Sequence, residues 1–173
     1  SSGDEILAAD AVVLPGVGAF GTAVEHLEKL DLIGVLRDAA SSGKPFLGVC
    51  LGMQLLMNAS SEFGSHRGLG VIDGQVLYLE ASSNGEQSHK VPHVGWNKIR
   101  DQAGANKPTD AQESSAWSGT PLDGLNDGEH LYFVHSLYVK PDDQSLVLST
   151  TIYGANEFCS SFRRGSVFGC QFH

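Results

Sequence analysis

Two short apolar segments with a helical segment between them constrain the fold of this chain most strongly. Ala11–Leu14 and Phe46–Val49 contain no polar or charged side chain, which is typical of strands covered on both faces. Between them, one helical stripe carries the apolar residues Leu32, Ile33, Leu36, Ala39 and Ala40. Gly43 favours a left-handed cap at the end of this helix, and Pro45 prevents its continuation. The strand–helix–strand order predicts a parallel sheet with right-handed crossovers.

The remaining segments predict a second helix and then a strand-rich half. Leu51, Leu55 and Ala59 recur at helical spacing, which indicates a helix that reaches Ala59. Strand patterns follow at Val76–Leu79, Leu131–Val134, Ser145–Tyr153 and Phe158–Phe172, with Arg164–Gly165 as a hairpin tip. The polar stretch between Arg100 and His130 predicts a surface loop. The predicted fold class is α/β, with a mixed, mainly parallel sheet flanked by helices.

Size and composition narrow the class of protein. The 173 residues suit a single domain, 1–173. A net charge of −9 argues against binding nucleic acid or an anionic membrane surface, and no apolar run is long enough to span a bilayer. The three cysteines contain no CxxC pair, so neither a disulfide framework nor a zinc knuckle is expected. We therefore expect a reducing, cytoplasmic setting, with no disulfide framework and no metal site.

Cys50 is the candidate nucleophile. It lies at the centre of Gly48-Val49-Cys50-Leu51-Gly52, between the second predicted strand and the second predicted helix. Glycines two positions either side of a nucleophile are typical of a sharp strand-to-helix turn, which strains the central residue. The start of the helix would direct backbone N–H groups at the sulfur and favour its thiolate, and the Leu51 N–H would donate to a developing oxyanion. The alternative is a small, buried, structural cysteine.

A cysteine nucleophile needs a base, and histidine is the usual one. Four of the seven histidines lie in polar segments or beside loops: His26, His66, His89 and His130. The other three, His93, His135 and His173, lie in apolar or strand contexts, where a buried structural histidine is the ordinary expectation. The pattern leaves the choice among these three open.

Five motifs carry a resemblance to a known family. They are Leu14–Gly21 (LPGVGAFG), Gly43–Leu56 (GKPFLGVCLGMQLL), Val91–Asn97 (VPHVGWN), Tyr132–Ser136 (YFVHS) and Gly169–His173 (GCQFH). With them, the chain resembles the class I, triad-type glutamine amidotransferases. Within that class it is most similar to the glutaminase subunits of imidazole glycerol phosphate synthase, an enzyme of histidine biosynthesis. The resemblance spans nearly the whole chain and implies a flavodoxin-like sheet.

The resemblance implies the roles of the reacting groups. Cys50 would attack the side-chain amide of glutamine, and His173 would protonate the departing ammonia and then activate water to hydrolyse the thioester. The oxyanion hole would consist of the N–H groups of Val17 and Leu51, beside Gly18. No cofactor and no metal is implied.

The resemblance also implies contacts with a substrate and a partner. Substrate-binding positions would be Gly16, Gly52, Gln54, Glu62 and Ser136. The surface that docks a (β/α)8 cyclase subunit in a heterodimer would include His93, Trp96 and Asn97. Ammonia would pass through a channel to that subunit, which makes imidazole glycerol phosphate and aminoimidazole carboxamide ribotide. From the residues alone, Glu62 would be expected at the surface, and Trp96 would fit the core as well as an interface.

The chain departs from the family pattern at several places. The family follows its catalytic histidine with Pro-Glu, whose glutamate orients the imidazole, and it has a strand–helix unit before the position that matches Asp10. We therefore expect a domain clipped at both ends, with the third member of the triad beyond His173. Asp101–Ser115 is expected to be a lineage-specific insertion, and Leu137 stands where an aromatic residue is usual.

Three alternatives stay open. The first is the glutaminase of another amidotransferase, such as guanylate or anthranilate synthase. The second is an inactive docking or regulatory module, and the third is a cysteine hydrolase of the broader α/β type.

Overall fold

A computed structural model describes residues 1–84, 87–102 and 117–173 of the chain. The helices are α1 (Gly3–Ala8), α2 (Phe20–Lys29), α3 (Ile33–Ser41) and α4 (Leu51–Leu55), with a 3-10 helix at Gln144–Leu146. The strands of the first half are β1 (Val12–Leu14), β2 (Phe46–Val49), β3 (Met57–Ser60), β4 (His66–Arg67), β5 (Ile72–Tyr78), β6 (Ser82–Asn84) and β7 (Gln87–His89). Those of the second half are β8 (His93–Lys98), β9 (Arg100–Asp101), β10 (His130–His135), β11 (Leu137–Pro141), β12 (Val147–Tyr153), β13 (Asn156–Arg164) and β14 (Val167–Cys170).

The predicted parallel strands are present and build the part of the sheet that carries Cys50. Strands β1 and β14 both pair with β2 in parallel, so β2 lies between them. Helices α2 and α3 lie between β1 and β2. The apolar stripe predicted α3, and Gly43 follows it with a φ of +84°. Cys50 therefore lies directly at the carboxyl end of a central parallel strand, which is where sites form in sheets of this type.

The α/β class is confirmed, but antiparallel pairing takes a larger share of the sheet than predicted. In the described residues the main sheet runs β1-β2-β14-β13-β11-β5-β3-β4, and off this path β12 pairs with β13 and β9 pairs with β12. Beyond β14, the β3–β5 pair is parallel and the other pairs are antiparallel. Short turns connect β12 to β13 and β13 to β14, the second of them being the predicted turn at Gly165 (φ +59°), and connections of that length produce antiparallel pairs.

Two local predictions were wrong. The helix after Cys50 ends at Leu55, and Ala59 lies in β3, which pairs in parallel with β5. Pairing with the sheet overrides the helical spacing of Ala59. The stretch after Arg100 is not entirely a surface loop, because Trp117 and Leu122 are buried and the Trp117 indole N–H donates to the Leu148 carbonyl.

The two faces of the main sheet are covered differently. Helices α2, α3 and α4 cover one face with apolar side chains such as Phe20, Leu36 and Met53. The other face packs against Phe133 of β10 and against Trp117 and Leu122. Most of the expected Asp101–Ser115 insertion lies outside the described residues. No helix in the described ranges combines the length and apolar character that crossing a bilayer demands.

Candidate active site

Cys50 lies at the sharp turn between β2 and α4. Its backbone has φ +53° and ψ −112°, a conformation that residues with a Cβ rarely adopt, so the predicted strain is present. The turn is held at both ends, because the Cys50 N–H donates to the Cys170 carbonyl at 2.8 Å and the Gln54 N–H donates to the Cys50 carbonyl at 3.1 Å. These hydrogen bonds fix the direction of the side chain.

The glycines of the motif are required by close backbone contacts. A Cβ on Gly52 would lie 1.7 Å from the carbonyl oxygen of Leu14, at the end of β1. A Cβ on Gly48 would lie 2.9 Å from the Gly52 carbonyl oxygen. Glycine at both positions therefore lets the turn pack against the sheet, as the spacing predicted.

A cavity of about 290 Å³ opens beside the Cys50 side chain. Its lining includes two of the three open histidine candidates, His173 and His135, whereas His93 does not line it. The complete lining is Val17, Gly18, Cys50, Leu51, Gln54, Glu62, Pro92, Val134, His135, Ser136, Leu137 and His173.

The expected preference for the thiolate is not found for the protein alone. Burial raises the pKa of the Cys50 thiol, while the Leu51 N–H and the Gln171 carboxamide act in the opposite direction. Removal of the sulfur from water outweighs the donors that face it. The thiol form is thus favoured in the unliganded chain, and the direction predicted from the sequence was wrong.

The candidate oxyanion-hole residues meet at one edge of the cavity. Val17 and Gly18 line it from the loop after β1, and Leu51 lines it from the start of α4. Gly18 has a φ of +95°, a conformation that favours glycine. Gly16 approaches the Leu51 side chain so closely that a Cβ there would lie 3.0 Å from Leu51 Cβ. The two N–H-bearing segments are therefore packed directly against each other.

The candidate substrate-binding residues fall into two groups. Gln54, Glu62 and Ser136 line the cavity. Glu62 is buried, contrary to the surface position expected from its neighbours, and its carboxylate accepts the Phe20 N–H at the start of α2. Gly16 and Gly52 are not part of the lining, and they shape its wall through their contacts with Leu51 and Leu14.

Strand β8 presents different residues on its two faces. Burial alternates along it, so His93 and Asn97 point inward while Val94 and Trp96 point outward. His93 and Asn97 therefore do not share a face of β8 with Trp96, because successive residues of a strand point to opposite sides, and the docking role of the three residues stays a prediction. His93 is 2% exposed, whereas Trp96 is 70% exposed and does not belong to the core.

Strands β8 and β10 pair as an antiparallel ribbon with an apolar outer surface. Val94 is opposite Val134, and Trp96 is opposite Tyr132, with the two rings 5.8 Å apart. We call these four side chains the outer ribbon face. Because Val134 also lines the cavity, this face adjoins the cavity mouth.

Two polar side chains around the cavity, those of Gln171 and His135, make contacts that the sequence analysis did not predict. The Gln171 carboxamide Nε2 lies 3.5 Å from Cys50 Sγ, and its Oε1 accepts from Gln54 Nε2 at 3.0 Å. His135 Nδ1 donates to the Leu137 carbonyl at 2.8 Å. Both belong to motifs quoted above, but no spacing rule connects positions so far apart along the chain. Among the described residues, no group of three or more His, Cys, Asp and Glu side chains is arranged to hold a metal ion.

Comparison with known proteins shows the family of the chain. The family model for class-I glutamine amidotransferases matches residues 2–173. The imidazole glycerol phosphate synthase subunit HisH of Rhodopirellula baltica is 42% identical over the whole chain, which covers 75% of that relative. The HisH subunit of Aquifex aeolicus is 45% identical over 95% of the chain and 70% of that relative.

Solved structures agree on the fold. A crystal structure of a glutamine amidotransferase aligns with a TM-score of 0.64 at 16% identity, covering 99% of this chain and 74% of that one. The glutaminase domain of Trypanosoma brucei CTPS, with bound acivicin, aligns with a TM-score of 0.59 at 16% identity, covering 99% of this chain and 65% of that one. The chain therefore belongs to the class-I glutamine amidotransferases, a family of enzymes, and within it to the group of the HisH subunits of imidazole glycerol phosphate synthase.

Proposed function

We propose that the chain hydrolyses glutamine to glutamate and ammonia and delivers the ammonia to a cyclase subunit of imidazole glycerol phosphate synthase. One observation carries this proposal. Cys50, on its strained turn, opens into the same cavity as His173 and the segments that bear the Val17 and Leu51 N–H groups. The names of the relatives support the assembly, since each is a subunit of that synthase.

The reaction would proceed through a thioester. His173 takes the thiol proton, and the Cys50 sulfur attacks the side-chain amide carbon, whose oxygen becomes negatively charged. The Val17 and Leu51 N–H groups would donate to that oxygen. The C–N bond then breaks as His173 protonates the leaving ammonia, and a water activated by the same imidazole attacks the thioester and releases glutamate.

The raised pKa of Cys50 fits this sequence. A thiol that is protonated in the empty cavity reacts only after a neighbouring base has taken its proton. His173 would be that base, and its position in the lining of the same cavity supports this role. The unliganded enzyme is then protected from unproductive reactions of a permanent thiolate.

Glu62 supplies the charge that would recognise the substrate. Its buried carboxylate is the acidic group of the cavity lining, and the α-ammonium of glutamine is the cation that complements it. Gln54 and Ser136 would contact the substrate from neighbouring parts of the lining. We expect Glu62→Gln to raise the KM for glutamine more than it lowers kcat, because the carboxylate would contact the α-ammonium and not the amide that reacts.

Glutamate release in the presence of the partner subunit tests the proposal. Cys50→Ser should abolish the activity, whereas Cys159→Ala, which removes a buried thiol that does not line the cavity, should retain it. Mass spectrometry should detect a glutamyl adduct on the wild-type protein and none on Cys50→Ser. Equal turnover by both variants would contradict the assignment of Cys50 as nucleophile.

The outer ribbon face is the surface that we propose for docking the cyclase. It is apolar, adjoins the cavity mouth, and exposes 70% of Trp96. A large aromatic side chain of this kind is a typical energetic anchor of an interface. Ammonia leaving the cavity beside Val134 would then enter the partner without crossing open water, where it would be protonated to ammonium.

Binding of the purified cyclase, measured by calorimetry, tests the docking surface. Trp96→Ala should weaken the affinity by about 2 kcal/mol, or roughly 30-fold. Leu30→Ala removes an apolar side chain that is 66% exposed at the end of α2, and it should leave the affinity unchanged. Equal affinities of the two variants would exclude the outer ribbon face as the docking surface.

We also propose a cytoplasmic location, which the three unpaired cysteines support.

A further inference from the structure

A continuous path of hydrogen bonds ends at the sulfur of Cys50. The Leu137 carbonyl accepts from Gln54 Nε2 at 3.1 Å, and the same nitrogen donates to Gln171 Oε1 at 3.0 Å. Gln171 Nε2 then lies 3.5 Å from Cys50 Sγ. Gln54 and Gln171 are 5% and 0% exposed, so both side chains are largely shielded from bulk water.

The same carbonyl anchors a second branch that leads to β8. It accepts from His135 Nδ1 at 2.8 Å, and His135 Nε2 lies 3.2 Å from His93 Nδ1. His93 Nε2 lies 3.3 Å from Asn97 Nδ2. The His93 ring is held between Tyr153 and Phe133, with ring centroids 4.0 and 4.9 Å away. This branch holds the Leu137 carbonyl in place from the inner side of the ribbon.

The direction of every bond follows from that one carbonyl. A carbonyl oxygen accepts and never donates, so the Nε2 end of Gln54 must face Leu137. The second N–H of Gln54 then requires Oε1 of Gln171 to face it, which leaves the Nε2 end of Gln171 toward the sulfur. His135 must likewise carry its proton on Nδ1. The donor at Cys50 is therefore set by a backbone atom rather than by a free rotation of an amide.

The histidines of the second branch keep this polarity because they stay neutral. Burial lowers the pKa of His93 to about 4, with a smaller effect of His89. Burial lowers the pKa of His135 to about 4 as well, assisted by His93 and His173 and opposed by the bond to Leu137. At neutral pH each ring thus has one donor and one acceptor nitrogen.

We propose that Gln171 is a further catalytic residue, which donates a hydrogen bond to the Cys50 sulfur as the sulfur becomes anionic. Gln54 and His135 are positioning residues, which fix the direction of this donor through the Leu137 carbonyl. The inference rests on the proposed role of Cys50 as nucleophile. A hydrogen bond to a charged acceptor is stronger than one to a neutral acceptor. Gln171 therefore stabilises the thiolate more than the thiol.

The pH dependence of Cys50 alkylation by iodoacetamide tests the inference without any substrate. Gln171→Met keeps the approximate size of the side chain and removes the donor, so the apparent pKa of alkylation should rise by about one unit. Below that pKa, the rate should fall about tenfold relative to wild type. Gln171→Glu places a carboxylate beside the sulfur and should raise the apparent pKa further. The other titratable groups that face the sulfur are Glu62, His135, His173 and Cys170, and they are unchanged in both variants.

The matched control is Gln102→Met. Gln102 donates through its amide to the Thr150 hydroxyl at 2.8 Å, away from the cavity, and its replacement should leave the alkylation profile unchanged.

If Gln171→Met does not fold, Gln54→Met tests the same inference. It leaves Gln171 in place without its hydrogen-bond partner and should raise the apparent pKa of alkylation by less. Superimposable profiles for wild type, Gln102→Met and the folded Gln171 or Gln54 variant would overturn the proposal.

A second readout separates this inference from the proposed function. In the glutaminase assay, Gln171→Met should lower kcat and leave the KM for glutamine nearly unchanged, because the donor contacts the sulfur and not the bound substrate. Failure of the wild-type chain and its partner to release glutamate would refute the proposed function, while the alkylation profiles would still decide whether Gln171 acts on the sulfur. A raised KM with unchanged kcat and an unchanged profile would assign Gln171 to substrate binding instead and overturn the inference.

Discussion

Replacing Gly52 by alanine should destabilise the protein severely, although the change adds one methyl group. The new Cβ would lie 1.7 Å from the Leu14 carbonyl oxygen, and non-bonded contacts below 3.0 Å are essentially never seen for real Cβ atoms. The first turn of α4 and the end of β1 would have to separate by more than an ångström. Both sides of this contact are backbone, so rotation of a side chain cannot relieve it.

The expected cost follows from known cases of overpacking. Extra methylene groups in a packed core cost about 1–3 kcal/mol when side chains can yield, so we expect about 3 kcal/mol or more here. In a chain of this length, that loss lowers the Tm by roughly 6–12 °C. Because the displaced turn carries Cys50, turnover should fall by roughly 100-fold even at temperatures where the variant is folded.

Urea unfolding followed by circular dichroism measures this effect, and Gly34→Ala is the matched control. Gly34 lies in α3, and a Cβ there would have open space around it. The identical change should therefore stabilise the protein by about 0.4–1 kcal/mol, through helix propensity and a less flexible unfolded chain. Equal effects of the two substitutions would refute the steric argument for the Cys50 turn.

The remaining predictions concern thiol reactivity and pH. Iodoacetamide at pH 8.5 should modify Cys50 alone in the folded protein. Burial raises the pKa of Cys170 to about 12 and strongly raises that of Cys159, so both of these thiols stay protonated at this pH. A second modified thiol, detected by mass spectrometry before urea is added, would contradict this prediction. The free energy of unfolding should fall as the pH is lowered from about 6.5 to about 4. His93 and His135 have a pKa near 4 in the folded protein and 6.5 in the unfolded chain. The unfolded chain therefore binds more protons in this range and is favoured as the pH falls. His135→Asn should flatten that dependence in urea titrations, and a slope equal to that of wild type would show that carboxylates cause it.

Local patterns in the sequence predicted the segments that make sequence-local interactions. Strand β2 occupies Phe46–Val49 as predicted, and Gly43 adopts the left-handed conformation expected after α3. The strain at Cys50 also followed from its immediate neighbours. In each case, a few consecutive residues contain the whole physical cause.

Interactions between distant segments account for what was missed. Ala59 has helical spacing, but its pairing with β5 decides its conformation. Trp117 lies in a polar stretch whose composition conceals one apolar side chain that packs with Phe133 and Leu122 on the second face of the main sheet. The contact of Gln171 with Cys50 joins positions 121 residues apart. The inward orientation of His93 and Asn97 is different, since strict alternation along β8 could have revealed it.

The backbone conformation of Cys50 places stability and activity in opposition at a single residue. A non-glycine residue held in such a conformation costs about 1–3 kcal/mol, and any side chain retains that cost, so Cys50→Ala removes the thiol without relaxing the turn. Glycine would relax it, offset by about 0.5–1 kcal/mol of greater freedom in the unfolded chain. Cys50→Gly is therefore expected to be an inactive protein that is as stable as the wild type or more so. A population of random variants sorted for stability alone would retain this substitution, whereas a population sorted for turnover would lose it, and that opposite enrichment would mark the position of the nucleophile.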